Sequence, residues 1–479
     1  MSIYDKYEAV IGLEVHVQLA TKTKIFCGCS TKFGQIPNSA TCPVCLGLPG
    51  TLPVFNKEVF MLGIKAALAI NCQIQEIVKF DRKNYYYPDL PKAYQISQYD
   101  KPLAYKGYID IVTNDNPKRI NITRAHLEED AGKLLHDQHP SATVVDYNRT
   151  GTPLLEIVSE PEINTPEEAY QYLSTLKNIL RYVGVSDCNM EEGSLRCDAN
   201  VSVRLYGETK LGTKRELKNM NSFKAVRAAV EYEITDQIDT IEDGEKILQE
   251  TRLWDADKQI SRSMRSKEEA HDYKYFPEPD LVPFHITVQQ IEEIKSKMPE
   301  LPQARKNRFI KDYNITESDA DFLLSEKIYA DYFEETVKEG ADPKLVYNWL
   351  SGDIMSEIND QKISLEEYNF TAKMLAELIE LINSNVISGK MAKEILKESA
   401  KEGFTPKAIV EKKGLKQISN EGELENIITQ VLNSNKKSVT DYKSGKENAL
   451  GYLVGQIMKE TKGKANPGIV NKLLRERLL

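Results

Sequence analysis

The sequence predicts an α+β fold, with a large sheet in the first part of the chain and helices in the rest. Up to about residue 290, several stretches alternate apolar and polar residues, which is typical of strands. From 287 to about 404 the apolar residues recur at helical spacing instead. A chain of 479 residues is also too long for one hydrophobic core, so we expect more than one domain.

The first predicted element is a strand over residues 11–19. Its apolar and polar residues alternate, with one face formed by Leu13, Val15, Val17 and Leu19 and the other by Glu14, His16 and Gln18. A carboxylate and an imidazole on one face are candidate ligands for a cation. A single histidine is more often a satisfied core residue, so this strand alone leaves both interpretations open.

A cysteine cluster follows this strand directly. Cys27 and Cys29 form one close pair, Cys42 and Cys45 form a second, and each pair lies in a turn with glycine or proline. Two such pairs predict a structural zinc site with four thiolate ligands rather than buried free cysteines. The remaining cysteines stand alone and are predicted to be core residues: Cys72, Cys188 and Cys197.

Two later stretches, SLRCDANVSVR and TKRELKNMNS, repeat the polar strand face. Their outward positions mix acids, amides and cations, namely Arg196, Asp198, Asn200, Ser202, Arg204, Lys214, Glu216 and Lys218. An ordinary solvated face needs only residues such as serine, threonine and lysine. The mixture therefore predicts the floor of a polar cavity that handles charged substrates and a divalent cation.

Three further motifs are candidate borders of that cavity. RKNYYYPDLPKAYQISQYD is predicted to be an irregular loop that combines Lys83 with five tyrosines, which either stack on bases or merely cover the core. YNRTG places Arg149 beside a strand. RAHLEEDAGK contributes Glu128, Glu129 and Asp130, a trio that by itself is most often a solvated acidic turn.

The second half of the chain is predicted to be helical. The segment TAKMLAELIELIN (371–383) places its apolar residues on one helical face. Changes in composition after PEPDLVPFH and at Gly403 and Pro406 predict three domains, with the bounds 1–290, 291–406 and 407–479.

The charge is distributed unevenly along the chain. The whole chain carries −9, yet the segment from Lys436 to Leu479 has ten lysines and arginines against four acidic residues. A basic tail on an acidic body predicts a local contact with a polyanion.

Several classes of protein are disfavoured by what the sequence lacks. It has no G-x-x-x-x-G-K-[ST] motif and no G-x-S-x-G motif, so we expect neither a P-loop nor a serine-hydrolase elbow. It also lacks an uncharged apolar run of about 18 residues, and its first ten residues do not form a signal peptide. We therefore expect a cytoplasmic protein without a membrane span.

Ten motifs in one order cover nearly the whole chain, among them IGLEVHVQL, NSATCPVCLGLPGTLPVFN, HLEEDAGK, DYNRTGTPLLEIVSEPE, EEGSLRCDANVSVR and ELKNMNSFKAVRAA. Together they resemble the B subunit family of the bacterial aspartyl/glutamyl-tRNA amidotransferases (GatB). The resemblance implies a cradle-shaped α+β domain, then an all-α helical domain, then a small YqeY-like tail domain that contacts tRNA.

The resemblance also implies a glutamine-hydrolysing carbon–nitrogen ligase that works as a heterotrimer. The B subunit of that family uses ATP and Mg²⁺ to phosphorylate the side-chain carboxylate of Glu-tRNA(Gln) or Asp-tRNA(Asn). Ammonia, which the amidase partner (the A subunit) releases from glutamine, then displaces phosphate to give the amide. A third and smaller partner, the C subunit, joins the other two.

With this chemistry in view, we assign predicted roles to the polar side chains. The predicted Mg²⁺ ligands are Glu14, His16 and Glu129. Glu128 is predicted to orient ammonium and take its proton, and Lys83 to offset the charge of the phosphoryl group. The remaining candidates line the cavity or contact the nucleotide: Glu216, Lys218, Arg149, Arg196 and Asp198. In the tail, the candidate RNA contacts are Lys443, Lys446, Lys459, Lys462 and Lys464.

Two other functions fit parts of the sequence. A non-enzymatic, zinc-containing scaffold that binds tRNA explains the cysteines and the basic tail, but leaves the polar strand faces without a purpose. A metal-dependent hydrolase built on Glu14 and His16 needs an open metal site with a bound water and no ATP. ATP turnover that depends on mischarged tRNA distinguishes the amidotransferase from both.

Overall fold

The computed structural model describes residues 3–114, 116–135, 142–264, 273–414, 421–444, 446–461, 465 and 467–478. These residues form a mixed α+β structure with a large sheet in the first part and helices in the second, which confirms the predicted fold class. No helix among them is both long enough and apolar enough to cross a bilayer.

The chain divides into two compact units, residues 1–302 and 303–479. The sequence places the first boundary near residue 290, twelve residues earlier. Those twelve residues include most of a helix, and their apolar side chains Ile291, Ile294, Met298 and Leu301 pack against the core of the first unit.

Every strand that the structure describes lies in the first unit. Their bounds in chain order are β1 (Tyr7–Gln18), β2 (Gln73–Ile74), β3 (Ile77–Val78), β4 (Asp81–Asn84), β5 (Tyr94–Ser97), β6 (Ala104–Thr113), β7 (Asn116–Glu129), β8 (Lys133–Leu135), β9 (Val144–Asp146), β10 (Pro153–Ser159), β11 (Leu195–Leu205), β12 (Arg215–Lys218), β13 (Thr251–Asp255), β14 (Ile260–Ser263), β15 (Lys274–Pro277) and β16 (Phe284–His285). Within the described residues, nine of them form one sheet in the order β14-β13-β12-β11-β1-β10-β7-β6-β2. β1 therefore lies at its centre.

The helices of the first unit are α1 (Lys57–Ala69), α2 (Pro166–Tyr182), α3 (Phe223–Glu242) and α4 (Val288–Ser296). The first three pack on one face of the sheet, where Leu13, Val15 and Val17 of β1 are fully buried. The predicted alternation in β1 is confirmed, because Glu14 and His16 occupy the intervening half-buried positions. The opposite face of the sheet is thus left to polar side chains.

One predicted loop is more regular than the sequence suggests. The stretch RKNYYYPDLPKAYQISQYD contains the short strands β4 and β5, which pair with each other and, through β4, with β15. β15 is almost two hundred residues further along the chain. A pairing so distant in sequence leaves no local signal in a segment rich in tyrosine and proline.

The regular elements described in the second unit are helices joined by short turns and loops. Its helices are α5 (Pro302–Tyr313), α6 (Glu317–Leu323), α7 (Lys327–Lys338), α8 (Pro343–Trp349), α9 (Met355–Gln361), α10 (Ala372–Asn383), α11 (Gly389–Glu402), α12 (Pro406–Lys413), α13 (Glu421–Ser434), α14 (Lys436–Lys443), α15 (Asn448–Glu460) and α16 (Pro467–Leu478). The predicted helix at 371–383 is confirmed as α10, and its first turn begins after Thr371, whose side chain accepts a hydrogen bond from Met374 N. The last helices share a small apolar core that includes Leu424, Leu453 and Leu474.

Candidate active site and metal centres

Four ionisable side chains lie side by side across the middle of the large sheet. His126 of β7 is directly opposite Glu156 of β10, which is itself opposite His16 of β1. On its other side, His16 is opposite Arg196 of β11. Residues opposite each other on neighbouring strands share a face and lie close together. The strand order therefore builds one polar row from four separate segments of the chain.

Two carboxylates converge on the imidazole of His16. Its Nε2 lies 3.2 Å from Glu156 Oε2 and 3.6 Å from Glu128 Oε1. The Nε2 of His126 lies 3.5 Å from the same Glu156 oxygen and 3.8 Å from Glu128 Oε2. His16, Glu128 and Glu156 each offer one ligand atom, and these atoms all lie within 4.8 Å of one another. This spacing suits a shared divalent cation.

Burial and charge act in opposite directions on these groups. Burial disfavours the protonated form of His16, but its hydrogen bond to Glu156 and the charges of Glu156 and Glu128 outweigh this effect and raise the pKa of His16. Burial also opposes ionisation of Glu156, yet His126, His16 and Lys83 hold the pKa of that carboxyl well below its usual range. The cluster thus concentrates negative charge that neighbouring cations must balance.

Glu128 and Glu129 are consecutive residues of β7 and therefore face opposite sides of the strand. Glu128 joins His16, whereas Glu129 Oε1 accepts a hydrogen bond from the Ile96 amide at 2.9 Å and pairs with the Lys92 ammonium. Both glutamates are almost fully buried, so the alternative of a solvated acidic turn is wrong. The structure brings Glu128, and not Glu129, to the predicted ligand His16.

A second charged cluster lies further along the same polar face. Lys218 Nζ lies 2.6 Å from Asp198 Oδ2 and 2.9 Å from Glu216 Oε1. Glu14 is opposite Asp198 in register and accepts a hydrogen bond from Asn200 Nδ2 at 3.0 Å. The structure therefore brings Glu14 together with three side chains that were predicted to line the cavity or contact the nucleotide.

The carboxylates of this second cluster differ in their surroundings. Burial, followed by the charges of Glu156, Asp198 and Glu216, raises the pKa of Glu14. Burial also opposes ionisation of Glu216, but the charge of Lys218, together with hydrogen bonds from Thr251 and Lys218 and the charge of Lys214, lowers the pKa of Glu216. Among the described residues, Glu14 forms no ion pair with a lysine or arginine. A bound cation would therefore stabilise the ionised form of Glu14 more than that of the other carboxylates in this cluster.

Lys83 lies on β4 between two tyrosine rings. Its Nζ is 4.5 Å from the ring centre of Tyr273 and 6.0 Å from that of Tyr85. Burial disfavours its charge, but the charges of nearby groups, Glu128 first and Glu156 among the others, raise the pKa of Lys83. The lysine that was predicted to neutralise phosphoryl charge is therefore a cation facing the carboxylates of the His16 cluster.

Arg149 and Arg196 both hold Asp130, which follows the end of β7. Arg196 Nη2 lies 2.9 Å and Arg149 Nε 3.3 Å from Asp130 Oδ2. Arg149 also donates hydrogen bonds to the carbonyl oxygens of Ala131 and Gly132. These contacts fix the loop beside the polar row. The predicted contact of the two arginines with a nucleotide stays a prediction.

The four clustered cysteines meet as their spacing predicts. The sulfurs of Cys27, Cys29, Cys42 and Cys45 all lie within 4.8 Å of one another. A hydrogen bond from Cys27 contributes most to lowering the pKa of the Cys45 thiol to about 4, with a further contribution from the nearby Lys24 ammonium. Burial raises the pKa of Cys29 to about 11. Four sulfurs in a compact knot of turns are the donor set of a tetrahedral zinc ion.

The isolated cysteines behave differently, since Cys72, Cys188 and Cys197 are buried and lie apart from this knot. Their prediction as core residues is confirmed.

Sequence reasoning missed Glu156 and His126. Glu156 lies within LLEIVS, and every residue of β10 except Val158 is buried, so no alternation of exposed and buried positions marks its face. The available signal was the acid itself, because a carboxylate inside a buried apolar run requires a compensating partner. His126 is 4 % exposed and sits two residues before Glu128, on the same face of β7.

The tail lysines are only partly described. Lys443, Lys446 and Lys459 lie on or beside α14 and α15, and Lys446 pairs with Asp441 at 2.9 Å. The other two predicted RNA contacts, Lys462 and Lys464, lie outside the described residues.

Comparison with known families defines the class of this protein. The family described as the GatB/GatE catalytic domain matches residues 9–292, which include the polar row and the cysteine knot. The family described as the GatB domain matches residues 331–478.

Full-length relatives are more specific. The chain is 59% identical over 473 residues to the B subunit of the aspartyl/glutamyl-tRNA(Asn/Gln) amidotransferase of Caldanaerobacter subterraneus subsp. tengcongensis, with 99% of each chain covered. It is 57% identical over 476 residues to the B subunit of that name from Carboxydothermus hydrogenoformans, and 54% identical over 473 residues to that from Brevibacillus brevis, again with 99% of each chain covered. The chain belongs to the family of aspartyl/glutamyl-tRNA(Asn/Gln) amidotransferase B subunits.

Proposed function

We propose that this chain is the component that activates and amidates the mischarged aminoacyl group in a tRNA-dependent amidotransferase. The observation that carries the proposal is the convergence of His16, Glu128 and Glu156 on the open face of the sheet, beside Lys83. The chain's full-length relatives are named as B subunits of such amidotransferases. A non-enzymatic scaffold would have no use for buried carboxylates and an imidazole whose ligand atoms converge on one point, an arrangement that is costly to maintain.

The proposed reaction has two steps. An oxygen of the glutamyl or aspartyl side-chain carboxylate attacks the γ-phosphorus of ATP, the bond to ADP breaks, and an acyl phosphate forms. Ammonia then attacks the acyl carbon, inorganic phosphate leaves with the electron pair of the C–O bond, and one proton is lost from nitrogen. Phosphorylation is needed because a free carboxylate offers no leaving group to an amine.

The side chains of this face are suited to positioning and to charge balance, which are the main demands of phosphoryl transfer. An imidazole and two carboxylates fit a divalent cation such as Mg²⁺, so we propose that His16, Glu128 and Glu156 hold it, with Glu14 nearby on the same face. When bound, the cation supplies positive charge to the phosphate oxygens. Lys83 adds a second positive charge, and Lys218 holds the carboxylates of Asp198 and Glu216 in place.

Proton removal from the attacking nitrogen requires a base close to the acyl carbon. Glu128 was predicted for this role, but its position next to His16 suits a ligand at least as well. We propose that Glu216 or Glu14 receives the proton, because both carboxylates line the same face without belonging to the His16 cluster.

The chain is proposed to act with partners. We propose that an amidase, the A subunit of the complex, supplies ammonia from glutamine, and that a small C subunit joins the amidase to this chain. The basic tail is proposed to contact the tRNA backbone. We further propose that the cysteine knot binds a structural Zn²⁺, and that the complex works in the cytoplasm.

The test is an amidation assay on the assembled complex with free ammonium in place of glutamine. Glu-tRNA(Gln), ATP and Mg²⁺ are supplied, and the esterified amino acid is identified after hydrolysis, with Asp-tRNA(Asn) as a second substrate. Product formed without glutamine assigns both steps to this chain. An assembled, tRNA-binding complex that converts neither substrate would overturn the proposal in favour of the scaffold.

A further inference from the structure

Lys24 is a fully buried lysine next to the cysteine knot. Its side chain has no exposed surface, and among the described residues its charged end has two hydrogen-bond acceptors. Nζ donates a hydrogen bond to the carbonyl oxygen of Ala40 at 2.7 Å and lies 3.7 Å from Cys45 Sγ. A lysine in such a position is rare, because burial of an ammonium group without a negative partner costs several kcal/mol.

The backbone fixes this side chain in place. Lys24 N donates to the carbonyl oxygen of Cys29 at 3.0 Å, which closes the turn that carries Cys27 and Cys29. The carbonyl of Lys24 accepts a hydrogen bond from Asn56 at the start of α1. The residue is therefore held between the first cysteine pair and a helix, with its side chain directed at the second pair.

No carboxylate forms an ion pair with Lys24 in the part of the chain that the structure describes. Glu129 and Asp280 line the same small cavity. However, Glu129 is already engaged by Lys92 and by the Ile96 amide, and Asp280 lies near Arg82. The negative charge that balances Lys24 must therefore come from the cysteines.

Four neutral thiols would provide no such charge, whereas four thiolates around Zn²⁺ carry a net charge of −2. Ligands of a metal are commonly held by a hydrogen-bond donor in a second layer around the site, and loss of that donor weakens metal binding. A buried ammonium near one sulfur supplies both a donor and a compensating charge.

We propose that Lys24 is a positioning residue of the zinc site, which neutralises part of the thiolate charge and orients Cys45 toward the metal. This inference rests on the proposed zinc site and assigns a purpose to a residue that lies outside the sheet face. It also explains the contrast within TKTKIFCGC, where Lys22 is exposed and Lys24 is buried.

The test is the zinc affinity of the full chain, measured as zinc content after purification and by competition with a chelating dye. Lys24→Met removes the charge but keeps most of the apolar stem, and is expected to weaken zinc binding by about 10- to 100-fold. Lys22→Met is the matched control and is expected to leave the affinity unchanged. Lys24→Arg keeps the charge and is expected to restore much of the affinity.

The outcomes separate the zinc site from the role of Lys24. Absence of zinc from the unaltered chain would overturn both. One zinc per chain in the unaltered protein and undiminished affinity in Lys24→Met would overturn the role of Lys24 alone. If Lys24→Met fails to fold, Lys24→Gln, which retains an N–H donor without the charge, takes its place. If neither neutral variant folds, the Lys24→Arg variant decides. A folded Lys24→Arg protein that contains zinc would support the proposal. An unfolded Lys24→Arg protein would contradict it, because the fold would then depend on the shape of the lysine side chain rather than on its charge.

Discussion

Both units of the molecule bury ionised side chains, but they balance them differently. In the second unit, Glu334 accepts from two arginines and a tyrosine: Arg308 Nη1 lies 2.7 Å and the Tyr313 hydroxyl 3.1 Å from its Oε1, and Arg305 pairs with the other oxygen. In the first unit, Glu128 and Glu156 face imidazoles at 3.2–3.8 Å.

The difference separates a structural ion cluster from a site built for a ligand. The partners of Glu334 are guanidinium groups, which are always charged and can form two hydrogen bonds to one carboxylate. Its charge is therefore balanced without any further group. In the His16 cluster, Glu128 and Glu156 pair with imidazoles, whose charge depends on protonation, at 3.2 Å or more, and the guanidinium of Arg124 lies no nearer to Glu156 than 3.9 Å. The cluster on the sheet face therefore has a place for an added cation, whereas the cluster around Glu334 does not.

The largest expected effect comes from Glu156→Gln. Loss of one of three proposed ligands is expected to reduce ammonium-dependent amidation by about 100-fold or more, and to weaken Mn²⁺ binding measured by electron paramagnetic resonance. Glu160→Gln, just beyond the end of β10, is the control and is expected to leave both unchanged. Full activity and unaltered Mn²⁺ binding in Glu156→Gln would remove the distinction between the two clusters.

Glu334→Gln tests the other side of the comparison. Arg305 is 5 % exposed and would lose a partner in a buried setting, so the free energy of unfolding is expected to fall by roughly 3 kcal/mol. Cation binding by the complex should not change, since the site lies in the other unit. Denaturant unfolding followed by circular dichroism measures the effect, with the neighbouring exposed Glu335→Gln as control. If Glu334→Gln loses no more stability than the control variant, the predicted contribution of this ion cluster to stability is refuted.

The pH dependence sharpens the same contrast. Burial opposes ionisation of Glu334, but Arg308 and Arg305 lower its pKa to about 2. A carboxyl whose pKa is lower in the folded state stabilises the fold above its unfolded pKa and loses that contribution as pH falls toward the folded value. The unaltered chain should therefore lose stability between about pH 4.5 and pH 2 more steeply than Glu334→Gln. Equal slopes in acid unfolding experiments would show that the pairing contributes nothing.

The smallest expected effect is that of Gly151→Ala. Gly151 has a φ of +79°, and an added Cβ would lie 3.5 Å from both Lys24 Cδ and Cys45 Cβ. The left-handed conformation costs an alanine about 1–2 kcal/mol, while the space is sufficient for a methyl group. We expect a small decrease in the melting temperature and retention of zinc. Loss of zinc would mean that the knot tolerates no shift of this loop.

The sequence predicts much of this site because its strands alternate clearly. The faces of β1, β11 and β12 follow from period-two patterns, and the cysteine knot follows from two short spacings. Glu156 was missed because β10 is buried on both faces. Glu128 and Glu129 show another limit: two adjacent acids are equivalent in the sequence until the register of β7 decides which of them faces His16.

The central position of β1 in the sheet has a consequence for folding during translation. β1 ends at residue 18, but its partners β10 and β11 end at residues 159 and 205. At synthesis rates of about 5–20 residues per second, the strand leaves the ribosome roughly 7 to 28 seconds before β10, the earlier of the two partners, is complete. During that interval its apolar face has no sheet to join, so we expect the nascent first unit to depend on chaperones until more than two-fifths of the protein has been translated.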